Sequence, residues 1–247
     1  MPSQIIISDH IEMKGDASHR SNMDGPWQEK KVHFHDHFTD DTLSTAKWLA
    51  TVTNHTIAVD HATNRHCALF TTDTTDNEAS FLAGPLCWED DQNAVAEFRV
   101  KVSDVSAVCL YVGFSDATLE STPDMPIDYS GGTLAAAATN AVGIVMDGDD
   151  TVNGASSIVG VGVNAGVLET AIDSGTDWAD GEWHVLRVEL NPDGDAYFYL
   201  DGTAFGYMAT AIASATALCV IVAVANRGTA AETVYVDRVD GWQDEES

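Results

Sequence analysis

Three histidines, His33, His35 and His37, stand at alternate positions in the stretch KVHFHDHF. On a β-strand that spacing puts three imidazoles on one face, with neighbours about 7 Å apart, close enough for adjacent pairs to chelate a transition metal. Protonating them near pH 6 would add positive charge to an acidic surface. No carboxylate completes a catalytic set with them, and Phe34 and Phe38 mark the buried parity, so a solvated strand is the competing reading. The loop Asp147-Gly148-Asp149-Asp150 to Asn153 offers oxygens that suit Ca²⁺ but lacks a diagnostic spacing. In a chain with 27 aspartates it reads as a solvated turn. His10, His19, His55, His61, His66 and His184 share no motif, and Cys67, Cys87, Cys109 and Cys219 stand singly in apolar or alternating stretches, as small core residues do. A Cys67 to Cys87 bridge between neighbouring strands is the alternative. There is no G-x-S-x-G and no glycine-rich phosphate loop opening a helix. The expectation is no metal and no cofactor.

These residues have to be positioned by strands. Apolar and β-branched residues alternate with polar ones near 55–59, 66–71, 79–83, 94–102, 107–114, 141–146, 157–163, 183–190, 196–200, 217–225 and 232–239. The one helix-prone piece, Leu134 to Ala138, follows Ser130-Gly131-Gly132 and reads as loop. Ala94 to Val102 has one apolar and one polar face, which suits an antiparallel sheet, whereas the almost wholly apolar Ala217 to Ala225 must be covered on both sides. No period of 20 to 50 residues appears, which argues against a propeller or solenoid. The chain therefore reads as all-β, a two-sheet antiparallel sandwich over 33–247. An extended arm, 1–32, precedes it. Ile5, Ile6, Ile7 and Trp27 would be the arm's apolar anchors, and Lys14, Arg20, Lys30 and Lys31 its cations. A frayed terminus or an extra edge strand is the competing reading of the arm.

The 247 residues carry 39 acids against 11 Lys and Arg, a formal charge of −28. The imbalance is uneven. Residues 1–31 hold four bases against five acids, while 32–247 hold seven against 34. Phosphate contacts need cations, so nucleic acid and anionic membrane are disfavoured as partners. No apolar run approaches the roughly 20 residues that span a bilayer, and Met1 to His10 lack the pattern of a secretion signal.

The most specific segment is Gly181 to Gly202, GEWHVLRVELNPDGDAYFYLDG. Trp183, Val185, Arg187 and Glu189 take one face of a strand and His184, Leu186, Val188 and Leu190 the other. Asn191-Pro192-Asp193-Gly194 forms the turn, and Asp201-Gly202 a second one. This hairpin resembles that of the laminin-G-like and concanavalin A-like jelly rolls. His37 to Trp48 (HFTDDTLSTAKW) is similar to the opening strand region of that superfamily, and Val234 to Trp242 (VYVDRVDGW) to its return strand, which implies that the two ends of the body lie side by side in one sheet. The superfamily includes glycoside hydrolases, lectins, adhesion domains and structural proteins of tailed phages, so the fold does not select a function. Its hydrolases place their carboxylates on one strand as E-x-D-x-x-E or a close variant, and no such motif occurs here. Glu97, Glu189 and Asp237 have no partner carboxylate two residues away. Trp88, Trp178, Trp183 and Trp242 are scattered and form no stripe along the sequence.

Taken with the acidity and the arm, the resemblance implies a noncatalytic virion structural protein. It would be made in the host cytoplasm and placed on the outer capsid surface as a decoration or cement protein. The arm would dock on the major capsid protein and the chain would form a homo-oligomer, a trimer rather than a dimer. A carbohydrate-binding module or lectin-like fibre domain for host glycans is the alternative, and a glycoside hydrolase with displaced carboxylates a third reading.

Overall fold

A computed structural model describes residues 31–61, 66–116 and 124–244. The candidate docking residues Ile5, Ile6, Ile7, Lys14, Arg20, Trp27 and Lys30 lie outside the described residues, and of Lys31 only the backbone is described, at the start of the first strand. All eleven expected strands form, as β3 (Thr56–Asp60), β4 (Cys67–Thr71), β5 (Ala79–Ala83), β6 (Val95–Val102), β7 (Val108–Ser115), β10 (Ala141–Asp147), β11 (Ser157–Asn164), β14 (Trp183–Leu190), β15 (Ala196–Leu200), β17 (Cys219–Asn226) and β18 (Thr233–Asp244). Between them lie strands that the alternation did not mark: β1 (Lys31–Asp36), β2 (Leu49–Val52), β8 (Ile127–Ser130), β9 (Thr133–Ala136), β12 (Val167–Leu168), β13 (Ile172–Asp177) and β16 (Thr203–Met208). Most are short or edge strands, whose pattern is set by their neighbours more than by their own residues. The stretch read as a loop around Leu134 is one of them. Tyr129 and Leu134 face each other across the turn Gly131-Gly132, where both glycines take positive φ, so a two-residue hairpin turn replaces the loop.

Two antiparallel eight-stranded sheets pack face to face. Sheet A runs β16-β15-β14-β6-β18-β4-β3, and β1 also pairs with β18. Sheet B runs β12-β11-β10-β7-β17-β5-β2, and β13 pairs with β11. Lys31 pairs with Asp244 and Asp36 with Val239, so the first and last described strands are neighbours, as the return-strand resemblance implies. Pleating sends Phe98, Val100, Leu186, Val188, Phe198, Val234 and Val236 from sheet A, and Leu110, Val112, Phe114, Val142, Ile144, Val220 and Val222 from sheet B, into one buried layer. Trp88 and Trp178 complete it, both fully enclosed.

Sheet B is buried on its other face as well. Phe81, Cys109, Tyr111, Val145, Val159, Val161, Ile221 and Ala223 point away from the core layer and are covered by Met125, Ile127, Tyr129 and Ala138, from the segment that carries the β8–β9 hairpin. This explains the continuous apolar run of β17. An ion cluster locks the hairpin down. Arg227 Nε and Nη2 donate to the two oxygens of Asp147 at 2.9 and 3.0 Å, and Arg227 also pairs with Asp128 of β8. Asp147 further accepts the amide of Tyr129 at 2.8 Å. The loop read as a solvated turn is therefore internal in its acidic first half, while Thr151 and Val152 beyond it are exposed. Asp147 and Asp150 are buried, and Asp150 accepts the amides of Val152 and Asn153. Short-range pattern could not reveal this, because Arg227 comes from 80 residues away.

Replacing Arg227 with alanine strips the buried Asp147 carboxylate of its cation, which should cost about 3–5 kcal/mol and lower Tm by roughly 6–20 °C. Thermal unfolding followed by circular dichroism checks this, and Arg227→Lys should recover only part of the loss because a point charge cannot replace a two-pronged contact.

Candidate functional site

The outer face of sheet A is where sequence-distant functional groups meet. Strand register arranges them in rows across the sheet. One row runs Tyr207, Tyr197, Glu189, Val95, Trp242 and His33, from β16 to β1. The next runs Tyr199, Arg187, Glu97, Asp240 and His35. A third holds Val185, Arg99 and Arg238, and a fourth Trp183, Lys101 and Tyr235. The register shift in β18 between Val236 and Arg238 makes the last two rows fit together. One extra residue, Asp237, is absorbed there, so that Tyr235 and Arg238 both point outward although three positions separate them.

Within the second row every charge has a partner. Arg187 lies 3.5 Å from Glu97 through Nη1 and 3.3 Å from Glu189 through Nε, and its guanidinium stacks 4.3 Å over the Tyr199 ring. The Tyr199 hydroxyl donates to Glu189 at 3.2 Å. On the other side of Glu97, Arg238 binds its second oxygen and lies 3.1 Å from Asp240 through Nε. Arg99 pairs with Asp237 and sits 4.4 Å over the Trp183 ring, and Lys101 lies 4.2 Å over Tyr235. Contacts of the last kind contribute about 0.5–1 kcal/mol each when exposed, enough to fix ring orientation without deciding the fold.

Burial pushes the Glu97 carboxyl above its ordinary value, with Asp240 and Glu189 adding to the rise, while Arg238 and Arg187 pull against it. Glu97 and Glu189 are joined through one guanidinium, Arg187 lying 3.5 Å from the first and 3.3 Å from the second, so two carboxylates from different strands converge on one group. Single-strand spacing hid this pair, because its members come from β6 and β14 and meet only through cross-strand register.

Among the described residues, the opposite outer face, on sheet B, is largely apolar and covered by the Met125–Ala138 segment, which the Arg227 cluster anchors. The outward positions of β10 are Ala141, Gly143 and Val145 before Asp147, and a side chain at Gly143 would run into the Tyr111 ring. Of the three histidines at alternate positions, His33 and His35 lie on β1 and face outward, whereas His37 follows the strand; the His35 and His37 rings are 6.2 Å apart and all three side chains are exposed. No carboxylate joins them in a three-ligand group among the described residues. The four scattered tryptophans divide between core and outer face. Trp88 and Trp178 pack in the core, while Trp183 and Trp242 lie on the outer face of sheet A. The four cysteines are free, and Cys87 is exposed rather than buried.

No family model matches the sequence, and a search of curated proteins finds no match. Solved structures do match. A non-specific endo-β-1,3(4)-glucanase of family GH16 is similar over 88% of this chain and 92% of its own, with a TM-score of 0.60 and 13% identity. A protein of Mycobacterium tuberculosis described as an immunostimulatory antigen and pseudo β-1,3-glucanase is similar over 86% and 98%, with a TM-score of 0.58 and 14% identity. Against a sialidase the chain matches over 85% of its own length but spans only 18% of that protein, with a TM-score of 0.58 and 10% identity. Laminarinases and a bacterial β-glucanase recur among the other matches. The fold is a concanavalin-like jelly roll. The reading as a noncatalytic capsid decoration protein is overturned by these matches. Laminarinases and β-glucanases share the architecture along 92–100% of their own length, which points toward glycan chemistry and away from capsid decoration.

The raised Glu97 has a direct check. Its fold favours the protonated form, so the stability it contributes is fully present below its unfolded midpoint and is lost as pH rises through the folded one. Side-chain carboxyl NMR should show Glu97 titrating above an ordinary glutamate, and higher still in Arg238→Ala, which removes the largest influence holding it down.

Proposed function

We propose that this protein is carbohydrate-active and binds a neutral β-linked glucan across the outer face of sheet A, where Glu97 and Glu189 form the carboxylate pair for hydrolysis. The observation that carries the proposal is the register itself, which sets half-buried Trp183, Tyr197, Tyr199 and Tyr235 and exposed Tyr207 around a central group of acids and guanidinium donors. Aromatic faces stack on the apolar faces of sugar rings, and charged donors and acceptors between them select hydroxyls. A neutral glycan suits the chain because residues 32–247 carry 34 acids against seven bases and would repel a polyanion. The endo-glucanases that share the fold support the same substrate class.

In this reading Glu97, with its raised carboxyl, is the general acid that protonates the leaving oxygen. Glu189, oriented by Arg187 and Tyr199, is the nucleophile or base.

Purified protein should bind laminarin or mixed-linkage β-glucan in affinity electrophoresis and calorimetry, and should release reducing ends from one of them. Trp183→Ala and Tyr199→Ala should each weaken binding about tenfold, the loss of one stacking contact of roughly 1–1.5 kcal/mol. Glu97→Gln or Glu189→Gln should lower turnover by about 10²–10⁴-fold with binding kept. Absence of binding to any neutral glucan, or binding and turnover indifferent to all four substitutions, would overturn the proposal.

A further inference from the structure

A second site lies on the rim where the two sheets meet, and none of its residues belongs to the face of sheet A described above. His55 immediately precedes β3, Asp73 follows β4, and Glu78 immediately precedes β5. Their donor atoms all lie within 4.8 Å of one another. We propose that His55, Asp73 and Glu78 bind one divalent transition-metal ion, with Zn²⁺ as the reference ion, and that the ion ties the β3–β4 hairpin of sheet A to β5 of sheet B.

The imidazole carries the argument. His55 is 4% exposed, and its Nε2 is buried with no hydrogen-bond partner. A buried polar nitrogen without a partner is costly, and the group it faces is a carboxylate oxygen, Asp73 Oδ1, at 3.8 Å. That separation is too long for a hydrogen bond. It is close to the distance between two ligands on one ion, since bonds of about 2.0–2.2 Å in a tetrahedral shell put neighbouring donors some 3.3–3.6 Å apart. The other ring nitrogen is already committed. Nδ1 lies 2.9 Å from Ser80 Oγ, and an Nδ1–H donated to that hydroxyl leaves the Nε2 lone pair directed at the two acids.

The carboxylates are held in the same way. Asp73 accepts the Thr75 amide and hydroxyl, each at 2.8 Å, and Glu78 accepts Asn54 Nδ2 at 3.2 and 3.0 Å. Behind them, buried Asn226 donates its side-chain amide to the carbonyls of Asp73 and Thr75, and its backbone amide to the carbonyl of Glu78. Ligands, orienting groups and loop are thus all braced. Asp73 keeps 23% of its side chain exposed, which leaves a way in for the ion and a coordination position for water. The donor set of one imidazole and two carboxylates suits Zn²⁺, Co²⁺ or Mn²⁺ better than Ca²⁺, which takes oxygen ligands.

The test uses the full chain, stripped with chelator and titrated with ZnCl₂ by calorimetry beside thermal unfolding. We expect one saturable site per chain and, with the free ion at about 100 times Kd, a Tm rise of roughly 5–10 °C. His55→Ala should abolish that site, Asp73→Asn and Glu78→Gln should weaken it at least tenfold, and Ser80→Ala should weaken it about 10–100-fold. The triple substitution His33→Ala, His35→Ala and His37→Ala should leave it intact, which separates this site from the exposed histidines on β1. Glu78→Gln, at a half-buried position, decides the matter if His55→Ala does not fold. No saturable binding, or unchanged affinity in folded Glu78→Gln and His55→Ala, would overturn the proposal.

Discussion

The apolar layer between the two sheets is the constraint on which the rest of the structure depends. Phe98, Leu186, Val188, Phe198, Val236 and their counterparts on β7, β10 and β17 must leave water together. Because β-pleating alternates, burying them commits Glu97, Arg99, Arg187, Glu189 and Tyr199 to the opposite surface. A slip of one residue in β6 or β14 would exchange the two sets, at the cost of a buried ion lattice and an exposed core. The position of every polar group on sheet A therefore follows from hydrophobic register rather than from attraction between the charges.

The two sheets use their outer faces differently. Sheet B adds a third layer, with the Met125–Ala138 segment lying on apolar side chains and Arg227 anchoring it through Asp147 and Asp128. Sheet A leaves its outer side chains paired among themselves in a lattice of arginines, acids and aromatic rings. Glycan-processing enzymes with this architecture are common among the similar solved structures, yet the identity of 10–14% leaves the chemistry to the residues themselves.

Much of the architecture was legible in the sequence. The alternation in AVAEFRVKV and WHVLRVEL named the core and the outer faces of β6 and β14 correctly, and the unbroken apolar run in ALCVIVAVA showed that β17 is covered twice. The hairpin near Leu134 escaped, since a short glycine-turned hairpin has little alternation of its own. The fate of Asp147 escaped too, since its partner Arg227 is remote. The charge balance and the arm pointed to a capsid, a function that composition cannot specify, because acidity describes how a surface meets solvent and not what a site binds.

By itself the sequence determined an all-β sandwich and the inward and outward faces of its long strands, because each follows from period-two patterning and local turn chemistry; the pairing of the first and last strands was implied only by the jelly-roll resemblance. It did not reveal the rows. Glu97 meets Arg187 and Asp240, and His55 meets Asp73 and Glu78, only after strands from distant parts of the chain are set side by side. Cross-strand register is settled by the packing of whole sheets, so only the tertiary structure could decide which lone acids, arginines and histidines became neighbours.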